Sequence, residues 1–128
     1  MAEVIEGIRY TKEHEWAKVE GDIAVTGITD YAQSELSDIV MVDPPKLGRK
    51  IKANEAVGTI EAVKAVSDLY APLSGEVIEV NEKVVKDPSI INKDPYNEGW
   101  LYKLKLDDPS EYEKLLTADQ YRSLIAGH

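Results

Sequence analysis

Between residues 48 and 106 the chain never runs far before a Gly, Pro, Asn or Asp interrupts it, and the intervening pieces are short and rich in β-branched residues. Pieces of this kind suit strands, because β-branched side chains pack well on a pleated surface and the interrupting residues make turns. The last of them, Trp100-Leu101-Tyr102-Lys103-Leu104-Lys105-Leu106, places apolar residues at alternate positions, the period of a half-buried strand. Upstream, residues 8–10 and 16–28 carry β-branched and aromatic residues around the turn triplet Glu20-Gly21-Asp22, which predicts a hairpin. Asp30 followed by Gln33 has the spacing of a capping box and predicts a short helix over residues 31–36. The apolar run 39–42 after it is stopped by Asp43-Pro44-Pro45. A mainly β body over about residues 8–106 is expected, in which large aromatics such as Trp16 and Trp100 belong to the core.

Beyond residue 106 the composition changes. Asp107-Asp108-Pro109-Ser110 can cap a helix with Pro at its first position, and Thr117 with Gln120 can cap a second. Two short helices over about residues 108–126 should close the chain, packed on the β body through Tyr112, Leu115, Leu116, Tyr121, Leu124 and Ile125. One internal repeat is visible: Pro45, Gly48, Ile51 and Asn54 recur at the same spacing as Pro72, Gly75, Ile78 and Asn81. Turn chemistry alone produces some matches of this kind. The other reading is a pair of β-turn-β units about a pseudo-two-fold axis, with residues 55–71 supplying a further hairpin. At 128 residues the chain fits one domain, 1–128.

Composition narrows the chemistry. With 24 Asp and Glu against 15 Lys and Arg, the formal charge is −9, which repels phosphate backbones and argues against nucleic acid. No stretch approaches the roughly 20 apolar residues of a membrane span, and the N-terminus has no basic region followed by an apolar one, so a soluble, intracellular protein is expected. Cysteine is absent and only His14 and His128 supply imidazole, which leaves almost no material for a thiol nucleophile, a hydrolytic triad or a histidine metal site. His14 is assigned no role. Catalysis of the usual kinds is not expected, and any redox chemistry must be brought in.

One lysine stands apart. In Ile60-Glu61-Ala62-Val63-Lys64-Ala65-Val66-Ser67-Asp68-Leu69 apolar residues are disposed nearly symmetrically about Lys64, with acids at the flanks, so Lys64 falls where a hairpin would turn. On composition alone it is a solvated charge on a loop. Yet Glu61-Ala62-Val63-Lys64-Ala65, followed by Ala71-Pro72-Leu73-Ser74-Gly75-Glu76-Val77, resembles the attachment motif of lipoyl domains. Biotin carriers place methionines beside the lysine, and lipoyl domains of 2-oxoacid dehydrogenases usually have Asp before it, whereas this chain has Val63. Tyr10-Thr11-Lys12-Glu13-His14-Glu15-Trp16, Gly27-Ile28-Thr29-Asp30-Tyr31-Ala32-Gln33, and Ile91-Asn92-Lys93-Asp94-Pro95-Tyr96 through Gly99-Trp100 extend the match over almost the whole length. Together they resemble the H-proteins of the glycine cleavage system.

The resemblance implies a lipoyl-domain-like barrel-sandwich hybrid with short C-terminal helices, and lipoic acid bound covalently to Lys64. It implies a non-catalytic, cytoplasmic shuttle (mitochondrial matrix in a eukaryote), expected to be a monomer. Such a shuttle carries an aminomethyl group and electrons between a pyridoxal-phosphate glycine decarboxylase, an aminomethyltransferase and dihydrolipoamide dehydrogenase. By the same resemblance Glu61 is read by the lipoylating enzyme, while Glu15 and Asp68 shelter the loaded arm. Both acids otherwise read as solvated surface charges. The chain departs from the family at Ser37, usually Gly, at Pro44, usually Leu, and at Asn97, usually Gly; a positive φ at Ser37 would require a reshaped turn. Two rival readings stay open: an H-protein-like lipoyl carrier serving another lipoate-dependent pathway, and an unmodified acidic adaptor on the same fold.

Overall fold

A computed structural model describes residues 2–127; His128, counted above, lies outside them. Among the described residues nine strands form two sheets. The larger has the order β1-β2-β3-β9-β8-β5, built from β1 (Arg9–Tyr10), β2 (Glu15–Glu20), β3 (Ile23–Ile28), β5 (Lys50–Ile51), β8 (Gly75–Val80) and β9 (Tyr102–Leu106). The smaller has the order β4-β6-β7, from β4 (Ile39–Asp43), β6 (Ala56–Ala62) and β7 (Val66–Tyr70). Every pairing is antiparallel. The two sheets enclose one apolar core that includes Ile60, Leu69, Leu73, Val77 and Leu104, so the mainly β expectation holds, in sandwich form with no closed barrel.

The expected hairpin is β2 and β3, turning at Gly21 with φ 64. Trp16 lies opposite Gly27 in this pair, and its indole rests so close to β3 that a Cβ on Gly27 would come within 2.7 Å of the ring. Trp16 is buried and donates from Nε1 to the Pro95 carbonyl at 3.1 Å. Trp100 is only half-buried, with the Lys103 ammonium 5.1 Å from its ring centre. The strands of the two sequence-repeat units pair with each other, Lys50 with Glu76 and Ile51 with Gly75. Matching residues nevertheless have unlike surroundings: Ile51 is buried while Ile78 is 41% exposed, and Asn54 has φ 72 whereas Asn81 caps a helix.

The helices need three corrections. The first, α1 (Asp30–Leu36), is capped by Thr29, whose Oγ1 accepts from the Ala32 N–H at 3.1 Å; Asp30 is already helical and accepts from the Gln33 side chain. Residues 82–93, expected to be strand-like, form α2 (Glu82–Lys86) and α3 (Ser89–Lys93), seated by buried Val84 and Ile91. The first C-terminal helix is a 3-10 helix, Pro109–Lys114, capped by Asp108 as expected. Asn97 has no positive φ, so its replacement of Gly makes no backbone demand. The last helix, α4 (Ala118–Ala126), has the expected capping box of Thr117 and Gln120.

The C-terminal segment is structural. Tyr10 exchanges both backbone hydrogen bonds with Leu116, which covers the open edge of β1. Tyr121 is fully buried, stacked on Tyr10 at 4.5 Å between ring centres, with its hydroxyl 2.7 Å from Thr29 Oγ1 and 2.8 Å from His14 Nδ1. His14 is thus part of a buried-side polar cluster. Tyr121→Ala empties this ring site and should lower unfolding stability by roughly 3–5 kcal/mol, measured by denaturant titration.

Ser37 does have positive φ, 64, with ψ −140, a combination suited to Gly. A side chain there costs on the order of 1–3 kcal/mol, partly offset by the extra freedom Gly gives the unfolded chain. Ser37→Gly should therefore raise stability by about 1 kcal/mol, read as a shift in denaturation midpoint at unchanged slope.

Candidate functional site

Lys64 sits at the tip of the β6–β7 hairpin. The ladder runs Thr59 with Asp68, Ile60 with Ser67 and Glu61 with Val66, and the Ala62 N–H donates to the Ala65 carbonyl at 2.7 Å, leaving Val63 and Lys64 as a two-residue loop. Neither loop residue has positive φ, so this is not one of the primed turns that two-residue hairpins favour. Its support comes from outside the hairpin: the Val63 N–H donates to the Asp38 carbonyl at 3.0 Å. Asp38 is held in turn by Asn92 of α3. The Asn92 carbonyl oxygen accepts from the Ile39 N–H at 3.0 Å, and its amide donates to the Ser37 carbonyl at 2.7 Å and to Gln33 Oε1 at 2.9 Å. Sequence reading had singled out Lys64 and missed this bracket, whose only signal was Asn92 within the family-like run.

The lysine is exposed and makes no hydrogen bond or ion pair among the described residues. A primary amine presented this way on a backbone tied at both sides is accessible to acylation, so the site fits an acyl group on Lys64 Nζ. Glu61, half-buried, lies between Met41 of β4 and Val66 of β7 in the cross-strand row, and it also has no cationic partner among the described residues.

The other predicted acids behave differently. Glu15 is only 4% exposed; its Oε2 accepts from the Tyr70 N–H of β7 at 2.9 Å, and its Oε1 receives the Thr11 hydroxyl at 3.4 Å. Burial, the dominant influence, pushes its carboxyl up to about 8, opposed by these hydrogen bonds and assisted by the nearby Glu13 charge. Asp68 is exposed on β7. Tyr70 connects the two: its hydroxyl is raised first by the Asp68 charge, with Glu13 and Glu15 adding. The structure thereby brings Glu13, Glu15 and Asp68 around Tyr70, a residue the sequence did not flag. A separate cavity of about 280 Å³ beside the hairpin is lined by Glu13, His14, Tyr31, Leu36 and Ser67, among others, but not by Glu15 or Asp68.

The Glu15 shift sets a pH dependence. Its ordinary value is 4.5, so between pH 4.5 and about 8 the folded chain holds a proton that the unfolded chain releases, and stability falls as pH rises across that window. Glu15→Gln cannot titrate. The parent should lose stability relative to this variant by roughly 1 kcal/mol per pH unit between pH 5 and 7.5, followed by denaturant titration at each pH.

The family model for the glycine cleavage H-protein matches residues 8–128. A glycine cleavage system H protein of Bacteroides thetaiotaomicron is 53% identical over 122 residues, 95% of this chain and 97% of that protein. One from Geobacillus kaustophilus is 53% identical over 118 residues, 92% and 93% of the two chains. The crystal structure of a glycine cleavage system H protein from Mycobacterium marinum superposes with a TM-score of 0.90 at 37% identity, covering 96% of this chain and 99% of that one. Fold, hairpin and sequence therefore agree: the chain belongs to the glycine cleavage H-protein family.

Proposed function

We propose that Lys64 is the lipoyl attachment residue through which this chain, as an H-protein, serves the glycine cleavage system as a non-catalytic shuttle. The observation that carries the reading is the exposed, unpaired amine at the tip of a hairpin whose loop is fastened to Asp38. Bound as an amide, lipoate would supply a dithiolane able to accept two electrons and a transferred group, chemistry the Cys-free polypeptide lacks. The chain's own contribution is to fix the origin of an arm of roughly 14 Å by bond-length arithmetic. The absence of Cys also keeps internal thiols from competing for exchange.

Glu61, which stands three residues before the lysine with no cation of its own, is suited to be read by the basic surface of a lipoylating enzyme. Asp68 and Glu15, grouped around Tyr70, are suited to meet an ammonium cargo. A cation there would draw the Glu15 proton off, because a nearby positive charge favours the carboxylate. The partners that follow are a glycine decarboxylase, an aminomethyltransferase and dihydrolipoamide dehydrogenase, met in turn by a monomeric, acidic carrier. A cytoplasmic setting accords with the bacterial relatives, and no helix among the described residues is long and apolar enough to cross a membrane.

Co-expression with a lipoate ligase, followed by intact-mass measurement and peptide mapping, should give one lipoyl amide, on Lys64. Lys64→Arg keeps the charge without an acylatable primary amine and should fold normally yet remain unmodified. A second lysine modified to similar occupancy, or full modification of the Arg variant, would refute the assignment.

A further inference from the structure

Seven large apolar side chains are well exposed among the described residues, and four of them, Val40, Met41, Val63 and Val66, belong to the attachment hairpin or to the strand beside it. Strand register makes this a surface. Met41 pairs with Glu61 and Glu61 with Val66, so the three side chains stand in one cross-strand row on the outward face of β4-β6-β7, with Met41 54% and Val66 64% exposed. The next row outward is Asp43, Thr59 and Asp68, with both acids exposed. None of the three strands contains a Lys or Arg. The face beside Lys64 therefore presents two exposed apolar side chains, one on each side of Glu61, and is purely acidic in charge.

We propose that this face, centred on Met41 and Val66, is the docking surface for the enzyme that attaches lipoate, a partner with an apolar contact patch and a basic rim; the proposal rests on Lys64 being the attachment residue. Reach separates this occupant from the others. Before modification the Lys64 amine extends only about 6 Å from its Cα by bond-length arithmetic, so an enzyme acting on it must press against the flanking side chains. After modification the arm of roughly 14 Å lets an enzyme that reads its far end stand off from the hairpin. Exposed apolar side chains in a polar surround are what a contact patch of this size uses, and methionine is enriched in such patches. The acids supply complementarity to a basic rim and oppose a second copy of this chain, which carries the same charge of −9.

The test uses the full-length unmodified chain with Met41→Gln, Val66→Gln and the double substitution, and Leu47→Gln as a control, since Leu47 is 65% exposed in the separate loop before β5. Polar replacements at exposed positions leave folding essentially intact, checked by melting temperature. Steady-state transfer by a lipoate ligase, from lipoate and ATP, should show kcat/KM of the double variant lowered about tenfold, mainly through KM, as for loss of contact hot spots. Leu47→Gln should behave as the parent, and prolonged incubation should still modify Lys64 completely in every variant. Once fully lipoylated and then reduced to the dithiol with a phosphine, the double variant should be reoxidised by dihydrolipoamide dehydrogenase and NAD+ within about twofold of the parent, because the arm stands off. Lipoylation of the double variant at the parental rate would overturn the proposal. An equal loss in reoxidation would overturn it too, by giving the face to the enzymes that read the arm. A parent chain left unmodified at Lys64 would instead show that the attachment reading itself had failed.

Discussion

The hydrogen bond from the Val63 N–H to the Asp38 carbonyl fixes the loop that presents Lys64. A two-residue loop without positive φ does not follow the strand twist as primed turns do, so the loop needs an anchor beyond its own hairpin. That anchor is as rigid as residues 37–39, and these are gripped from α3 by one side chain: Asn92 accepts from Ile39 and donates to Ser37. Hydrogen bonds on either side of the backbone of residues 37–39 thus link a helix of the body to the residue next to Lys64. Ser37 is the strained link. Its backbone takes a glycine-like conformation at the end of α1, held there by its own N–H on Gln33 O and by Asn92 on its carbonyl.

Glu15 performs a second kind of joining. It leaves β2 of the large sheet and bonds the backbone of β7 in the small one, at the end of the β6–β7 ladder where the register shifts between Ala56 and Gly58. A bulge disturbs ladder pairing, and a side-chain acceptor is one way to satisfy the amide beside it. Burying a carboxyl is unfavourable, and the chain meets that by holding Glu15 protonated over much of the neutral range while both oxygens are hydrogen-bonded. Tyr70, whose amide Glu15 bonds, also stands among Glu13 and Asp68. The base of the hairpin is therefore coupled to the local negative charge that the surface acids create.

What could be read from the sequence was what depends on near neighbours. The β2–β3 hairpin, the stop after β4, the Thr117 capping box and the placement of Lys64 at a turn all follow from residues within a few positions of one another. Thr29 and Asp30 are both competent caps, and sequence alone favoured the residue with the better-known spacing to Gln33, one position late. Residues 82–93 were misread because Val84, Val85, Ile90 and Ile91 have strand-like propensity; burial of Val84 and Ile91 on the core overrides it. Glu15 stands out in the sequence only through resemblance, and its burial not at all, since that arises from contact with a strand whose Tyr70 lies 55 residues along the chain. The Asn92 bracket was hidden for the same reason.

The small sheet also faces a problem that its function sharpens. β4 and β7 are both edge strands, and an exposed edge with apolar side chains invites pairing with another chain. Closing these edges fully with a helix or loop would also wall off Lys64 at the tip of the β6–β7 hairpin. The chain covers these edges only in part, with Asn92 on the Ile39 N–H and Glu15 on the Tyr70 N–H, and otherwise controls them by charge and length: β4 and β7 span five residues each, Asp43 followed by two prolines ends one, and Asp68 sits on the other. Two copies meeting edge to edge would bring Asp68 and Asp43 of like charge together, whereas a basic partner would meet no such opposition. The apolar side chains of Met41 and Val66 can therefore stay uncovered beside Lys64, because Glu61 between them and the acids of the next row discriminate by charge among the surfaces that could reach them.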